Sequence, residues 1–185
     1  MLHFFEKEGI QYEYASVQFR VTGAEDYFNS LQAYIPDDAL YHGYEPLEGV
    51  SGPIPDMRDK YGREDSPHVT VLYGIDPKVT VADVRRALPS MYLPDFVRVS
   101  RISTFESSPK YNVVKVDVVE PEQLWRINAA LKKLPLPGET FPDYRPHMTL
   151  AYVRKDWKLP VDRVAVPAVL HGYFEFSNNG AAVKL

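Results

Sequence analysis

The sequence predicts an α+β fold made of two pseudo-symmetric lobes, each built on antiparallel strands. Three runs alternate apolar and polar residues as β-strands do, at 14–21, 68–75 and 147–153. The segments between them carry apolar residues at helical spacing. The order strand, helix, HVT strand, helix and hairpin is followed by helix, HMT strand and a second hairpin. This repetition indicates two related supersecondary units.

The first half contains one long segment without regular periodicity. A helix is predicted over 24–35, with its apolar residues on one side, and Pro36 ends it. Residues 36–67 are rich in proline and glycine and form a loop-rich insertion. A loop of this length is uncommon in a compact domain unless it covers a site, so it is either a lid or a tolerated surface insertion.

The remaining segments predict two helices and two hairpins. Helices are expected over 80–88 and over 121–134, the second opened by a proline. The runs 96–105 and 111–119 flank a Ser-Ser-Pro turn and predict a hairpin. Residues 161–185 give two more strand-like runs around Asn-Asn-Gly, which is typical of a hairpin turn.

Composition excludes several classes of function. The 185 residues carry 21 Lys and Arg against 25 Asp and Glu, which argues against a basic groove for long nucleic acids but allows a small nucleotide. Cysteine is absent, so disulfides, thiolate catalysis and cysteine-based metal sites are excluded. The sequence lacks a signal-peptide pattern and any run of about 18 apolar residues. We therefore expect one domain over 1–185, located in the cytoplasm, with no membrane partner and an unknown oligomeric state.

Two short motifs carry the chemistry, one at residues 68–70 (HVT) and one at residues 147–149 (HMT). Residues two apart in a strand project from the same face, so His68 lies beside Thr70, and His147 beside Thr149. Two imidazoles, with an ordinary pKa of about 6.5, can divide acid and base work near neutrality. Threonine hydroxyls can donate hydrogen bonds to phosphate oxygens. The motifs therefore indicate phosphodiester cleavage, and no accompanying set of ligands calls for a metal.

Alternation also predicts the surroundings of the motifs. In the first strand, Ser16, Gln18 and Arg20 are expected on the same side as the histidines. The residues between and after the motif positions are expected on the opposite, apolar face, against the helices. These residues are Val69, Val71 and Tyr73 in one strand and Met148, Leu150 and Tyr152 in the other.

The paired motifs resemble the signature of the 2H phosphoesterase superfamily, two H-x-[ST] motifs on pseudo-symmetric strands. The resemblance covers nearly the whole chain in element order, with 36–67 as the main departure. Residues 145–150 (RPHMTL) are similar to the second motif of bacterial and archaeal RNA 2',3'-cyclic phosphodiesterases. Residues 67–74 (PHVTVLYG) look more like the phage-type members, which include nucleases that destroy cyclic oligonucleotide defence signals, the anti-CBASS type.

The resemblance implies a bilobal 2H phosphoesterase-like fold with helices packed outside a central groove, and cleavage without a metal or cofactor. It implies that His68, Thr70, His147 and Thr149 are catalytic, and it leaves open which histidine is the base. We expect a small nucleotide phosphodiester as substrate, with a cyclic oligonucleotide favoured by the acidic balance, the insertion and the phage-like motif. The alternatives are a 2',3'-cyclic phosphodiesterase acting on RNA ends and a nucleotide-binding module that does not cleave.

Six further residues are weaker candidates for substrate binding, because each also has an ordinary structural explanation. The lysines suit exposed strand positions, the rings suit the core, and Arg145 suits a surface salt bridge. Lys115 and Lys184 end similar hairpins, and Phe105 and Tyr173 follow the motifs at comparable places, so each pair is expected to be symmetric. The six candidates are Arg20, Phe105, Lys115, Arg145, Tyr173 and Lys184.

The competing interpretation of the motifs is a pair of core histidines satisfied by backbone partners. Intact histidine and threonine at both motifs favour the enzymatic interpretation. The other histidines, His3, His42 and His171, lack a threonine partner, and we expect them to be structural or solvated.

Overall fold

A computed structural model describes residues 6–7, 10–11, 14–41, 62–88, 90–106, 109, 111–137, 143–160, 164–178 and 181–185. The helices in these ranges are α1 (Glu25–Gln32), α2 (Val81–Ala87) and α3 (Glu122–Leu131). The strands are β1 (Glu6–Lys7), β2 (Ile10–Gln11), β3 (Ala15–Val21), β4 (His68–Ile75), β5 (Phe96–Glu106), β6 (Tyr111–Val119), β7 (His147–Arg154), β8 (Val164–Asn178) and β9 (Ala181–Lys184). None of the helices in these ranges is long and apolar enough to cross a membrane.

Seven strands form one antiparallel sheet in the order β3-β4-β7-β6-β5-β8-β9. The long strand β8 pairs with β5 along its first half and with β3 along its second half, so the pairings form a closed circuit. The expected α+β fold of antiparallel strands and helices is confirmed. The two expected lobes share a single sheet because β8 belongs to both.

The change of partner along β8 takes place at a glycine. The strand leaves β5 after His171 and joins β3 at Gly172, which pairs with Val21. A Cβ atom at residue 172 would lie 2.0 Å from the carbonyl oxygen of Arg20, so only glycine lets the two backbones approach this closely. The N–H of Gly172 donates to the carbonyl of Asp95 at 2.9 Å, which holds the crossing point in place.

The apolar face of the sheet packs against α1 and α3. Phe19 and Met148 are fully buried there, against helix residues such as Phe28 and Ile127. α1 follows β3 in the chain but packs against β7, while α3 follows β6 and packs against β4. Each helix therefore covers a strand of the other half. Both helices end about three residues earlier than predicted, because bonds between residues three apart tighten the last turn.

β4 contains a β-bulge directly after its motif. Thr70 pairs with Gln18 and Leu72 pairs with Val17, so Val71 between them has no partner on β3. Val71 and Leu72 are both buried, although strict alternation would place them on opposite faces. The extra residue reverses the alternation at Leu72 and Tyr73, until a second irregularity at Gly74 returns Ile75 to the core.

β7 contains the equivalent bulge. Thr149 and Ala151 have partners on β6, and Leu150 between them has none. The two bulges turn Tyr73 and Tyr152 to the side of the sheet that carries the motif side chains, which we call the polar face. The prediction that these tyrosines lie on the apolar face is therefore wrong, because alternation assumes an uninterrupted pleat.

The predicted loop-rich insertion is described only at its ends, and residues 42–61 lie outside the described residues. The ends run along β7, where the N–H groups of Tyr41 and Glu64 donate to the carbonyls of Tyr152 and Leu150 at 2.9 and 3.0 Å. They therefore pair with the part of the β7 edge that lies beyond its contact with β4. A lid at 36–67 stays a prediction.

We expect Gly172→Ala to lower the free energy of unfolding by at least about 3 kcal/mol, because its methyl group collides with backbone. Chemical denaturation followed by circular dichroism measures this. Gly23→Ala is the matched control: Gly23 has a φ of +67° but no atom within 4 Å of the added Cβ, so its cost is limited to about 1 kcal/mol. Equal losses for the two variants would contradict the close approach at the crossing point.

Candidate active site

The two H-x-T motifs meet where β4 lies beside β7. Their central residues, Val69 and Met148, pair antiparallel and point into the core. Because the pairing is antiparallel, each histidine lies across from the threonine of the other motif, with the side chains on the polar face. The four side chains gathered in this way are His68, Thr70, His147 and Thr149.

Each imidazole is held in the same way. Nδ1 of His68 lies 3.0 Å from the carbonyl oxygen of Ser66, and Nδ1 of His147 lies 2.7 Å from that of Arg145. A carbonyl can only accept, so Nδ1 carries the proton and donates, and Nε2 is the nitrogen left for proton transfer. In both motifs a proline stands between the histidine and the residue whose carbonyl it binds, and its fixed φ restricts this short connection.

Burial lowers the pKa of both motif histidines. For His68, burial outweighs the negative charge of Glu64, which acts to raise the pKa. For His147, burial is the largest cause, the ammonium of Lys115 adds to it, and the carboxylate of Asp117 opposes it. A positive charge on His68 also lowers the pKa of His147, so the two imidazoles lie within electrostatic reach of each other.

A buried carboxylate organises the polar face beside His68. Glu175 is only 4% exposed and accepts hydrogen bonds from Gln18 Nε2 at 2.6 Å and from Arg20 Nη2 at 3.0 Å. Arg20 pairs with His68 across the strands and donates to the hydroxyl of Ser66 as well. The guanidinium of Arg20 is therefore oriented and neutralised next to the first imidazole.

A second carboxylate organises the face beside His147. Asp117 is the cross-strand partner of His147 and accepts from Lys115 Nζ, from Arg101 Nε at 2.8 Å and from Ser103 Oγ at 2.9 Å. Burial acts to raise the pKa of Asp117, but the hydrogen bonds from Lys115 and Arg101 outweigh it and the net pKa is lowered. Asp117 is therefore ionised at neutral pH and holds the ammonium of Lys115 in place.

Two lysines of the polar face lie over aromatic rings. Lys115 Nζ is 5.7 Å from the ring centre of Phe105, and that ring meets the imidazole of His147 edge-on at 5.2 Å. Lys184 Nζ is 4.9 Å from the ring centre of Tyr173 on the other half. The structure thus brings Lys115 and Phe105 to the second motif and places the exposed Lys184 further out, on the edge strand β9.

The expected symmetry between Lys115 and Lys184 is wrong. That between Phe105 and Tyr173 is wrong too, because Phe105 pairs with Val113 whereas Tyr173 pairs with Arg20, which is the counterpart of Asp117. Lys115 corresponds to Gln18, because each pairs with the threonine of its neighbouring motif. The physical reason lies in the strand order. β3, from the first part of the chain, occupies the place beside β4 that β6 occupies beside β7, so the last hairpin is displaced outward.

The remaining sequence-predicted candidates lie as follows. Arg145 is exposed and offers its carbonyl to His147, and no ion pair to its guanidinium is formed within the described part of the chain. Its binding of substrate stays a prediction. His171 is exposed and lies 6.2 Å from the Phe96 ring, while His3 and His42 fall outside the described residues.

The alternation of residues in the sequence did not predict that Tyr73 and Tyr152 lie on the polar face. Tyr73 meets Tyr14 edge-on at 5.8 Å, and Tyr152 meets Tyr111 edge-on at 5.4 Å. Burial raises the pKa of both Tyr73 and Tyr152, so they are neutral hydroxyls at neutral pH. The signal available in the sequence was the spacing, since 68 to 73 equals 147 to 152.

Sequence analysis also missed the two carboxylates Asp117 and Glu175, because their place beside the motifs depends on cross-strand register. Both are occupied by hydrogen bonds from side chains. Among the residues that the structure describes, no three His, Asp or Glu side chains are grouped so as to hold a metal ion.

The fold is shared with three solved structures of low sequence identity. Usb1 of Kluyveromyces marxianus is 12% identical, with a TM-score of 0.52 over 93% of this chain and 97% of that one. TT0787 of Thermus thermophilus is 16% identical, with a TM-score of 0.52 over 94% of both chains. The MHV ns2 PDE domain is 13% identical, with a TM-score of 0.50 over 93% of this chain and 99% of that one.

A sequence comparison identifies the family. Residues 36–169 match the 2'-5' RNA ligase superfamily, and the chain belongs to this superfamily. The superfamily is one of 2H phosphoesterases, phosphodiesterases of the RNA-processing type, so the resemblance based on the two motifs is confirmed. A comparison with curated proteins gives no match.

We expect the imidazoles of His68 and His147 to titrate below pH 6.5, because burial disfavours their charged forms. An NMR titration of the ring carbon protons measures both midpoints, and His68→Ala and His147→Ala assign the signals. The nitrogen shifts should also show the proton on Nδ1 in the neutral form. A midpoint at or above 6.5 for either ring would contradict the buried arrangement.

Proposed function

We propose that the chain is a phosphodiesterase that cleaves a small nucleotide phosphodiester, with His68 and His147 as its acid–base pair. One observation carries the proposal. Two imidazoles from adjacent antiparallel strands are each fixed through Nδ1, which leaves both Nε2 atoms on one polar face for proton transfer.

The proton transfers balance between the two rings. One neutral Nε2 takes the proton of the attacking hydroxyl, while the oxygen of that hydroxyl forms a new bond to phosphorus. The other ring, protonated at Nε2, gives its proton to the leaving oxygen as the old P–O bond breaks. The nucleophile is a neighbouring 2'-hydroxyl where the substrate has one, which gives a 2',3'-cyclic phosphate, and it is water where that ring already exists. The rings end with their protonation states exchanged and reset through solvent.

The surrounding groups suit a phosphate between the two motifs. Thr70 and Thr149 would donate hydrogen bonds to the non-bridging oxygens, where negative charge is held. The lowered pKa of both histidines makes the protonated ring the scarcer form at pH 7, and a bound phosphate anion would favour that form again. In this mechanism two protein side chains do the proton transfers, and no step calls on a metal.

For the substrate we propose a cyclic oligonucleotide, as in phage-type anti-CBASS nucleases. The support is the net charge of −4, the phage-like first motif and the insertion at 36–67, whose described ends lie along β7. The rings of Phe105 and Tyr173, each with a lysine over it, lie in different halves of the sheet and offer stacking surfaces for bases. The second candidate, favoured by the similarity of residues 145–150, is a 2',3'-cyclic phosphate at an RNA end.

We expect His68→Ala and His147→Ala each to lower kcat by about 10²- to 10⁴-fold, because each removes one of the two proton transfers. The double variant should fall far short of the product of the two losses, since the rings act as a unit. Steady-state assays with the best substrate measure this, and thermal unfolding checks the fold. His171→Ala is the matched control, and we expect it to keep full activity.

Loss of activity in His171→Ala equal to that of the motif variants would point to a general effect of losing a histidine. A binding module would behave differently: it would hold nucleotide with unchanged affinity in the motif variants and release no product at any protein concentration. The first result would contradict the assignment of His68 and His147 as the acid–base pair, and the second would overturn the enzymatic assignment.

A substrate panel in EDTA separates the two substrate classes. We expect cyclic di- and trinucleotides to be linearised faster than 2',3'-cyclic mononucleotides are opened, with unchanged rates in EDTA because the imidazoles do the proton transfers. Chromatography and mass spectrometry identify the products. Faster opening of 2',3'-cyclic ends would favour the RNA-end enzyme, and complete inhibition by EDTA would contradict acid–base catalysis by the histidines alone.

A further inference from the structure

We propose that Gln32 and Asn128 are positioning residues that fix the geometry of the two H-x-T motifs from behind the sheet. Their catalytic meaning depends on the proposed function, whereas their effect on the imidazoles does not. Both are polar side chains within the core, 7% and 6% exposed. Both bind backbone carbonyls and no motif side chain, so any influence on the reaction must pass through the backbone that they hold.

The two amides bind equivalent carbonyls. Asn128 Nδ2 on α3 donates to the carbonyl of Val71 at 2.7 Å, and Gln32 Nε2 on α1 donates to that of Leu150 at 2.9 Å. Val71 and Leu150 are the residues directly after each motif, and both are the bulged residues of their strands. Gln32 also donates to the carbonyl of Glu64 at 2.8 Å, which ties the incoming segment to β7.

The similarity of the two amide-to-carbonyl hydrogen bonds does not follow from equivalent positions on repeated helices. Gln32 is the last residue of α1, whereas Asn128 lies in the body of α3. The side chains differ in length and reach the same point of each strand from different places on their helices. Two independent buried amides on the same carbonyl of each motif indicate a requirement at that carbonyl.

The requirement follows from the bulges. A strand can lose a bulge by slipping one residue, and such a slip moves side chains to the opposite face. A buried donor aimed at the bulged carbonyl opposes the slip, because the slipped strand breaks this hydrogen bond and leaves the buried amide without its partner. At Leu150 the N–H of Glu64 donates to the same carbonyl as well, so two donors hold that bulge. Thr70 and Thr149 immediately precede the held residues, so the two amides fix the orientation of the motif side chains.

The arrangement also links the halves. α1, which follows β3, holds the motif strand of the second half, and α3, which follows β6, holds that of the first. A local change at one helix should therefore alter the environment of the imidazole in the other half. This crossed pattern gives the proposal its test.

The test uses Asn128→Leu and Gln32→Met, which keep volume and remove the donor. We expect Asn128→Leu to shift the imidazole nitrogen resonances of His68, and Gln32→Met to shift those of His147. Gln32→Met also releases the carbonyl of Glu64, so His68 is expected to respond in that variant too, and the deciding signal for Gln32 is that of His147. With the best substrate of the panel, kcat should fall about 10- to 100-fold with little change in KM, as for a misplaced catalytic group. Asn112→Leu is the matched control, since Asn112 Nδ2 donates to the Lys155 carbonyl at 3.1 Å and no motif bulge is involved.

The NMR result decides positioning even if the chain shows no turnover, so its failure is separate from failure of the proposed function. Wild-type imidazole spectra in both folded variants would overturn the proposal, as would equal shifts in Asn112→Leu. If the apolar variants do not fold, Asn128→Ala and Gln32→Ala replace them, because water can then reach the carbonyl. The same crossed pattern of shifts is required of the alanine variants.

Discussion

The antiparallel contact between Val69 and Met148 is the constraint on which the candidate site depends. It is the pairing that the structure gives between β4 and β7, and it brings two motifs distant in sequence onto one face. A hydrogen bond also joins the segment before β7 to β4: the hydroxyl of Tyr144 donates to the carbonyl of Thr70 at 3.1 Å. Neither contact uses the side chain of a motif histidine or threonine, so these side chains are left for chemistry.

The backbone around the motifs is more symmetric than the charges. Both histidines donate from Nδ1 to a carbonyl two residues back, yet the cross-strand neighbour is a cation, Arg20, on one side and an anion, Asp117, on the other. Each cation next to a motif is paired with a carboxylate, Arg20 with Glu175 and Lys115 with Asp117. The face therefore presents oriented donors rather than a strong positive field, as suits a protein with a net charge of −4.

The sequence was sufficient for the fold class, the three helices, the strands of the seven-stranded sheet and the meeting of the motifs, because periodicity and repetition report on faces and order. The short strands β1 and β2 were not predicted. It was insufficient wherever register decides. The bulges at Val71 and Leu150 insert one residue without any compositional mark, so two tyrosines were assigned to the wrong face. The symmetry of Lys115 and Lys184 failed for a related reason. A strand order that places β3 between β4 and β8 cannot be derived from hairpins that are adjacent in the chain.

The closed circuit of strand pairings has a consequence for how a ligand would act on the whole molecule. Most neighbouring strands are joined over many residues, but β4 and β7 are joined through a single pair, which makes this junction the weakest place in the circuit. A phosphate bound by side chains of both β4 and β7 would hold these two strands together at the place where the circuit of pairings is most easily opened. A ligand that binds only the native form would therefore raise the free energy of unfolding of the whole domain, by mass action.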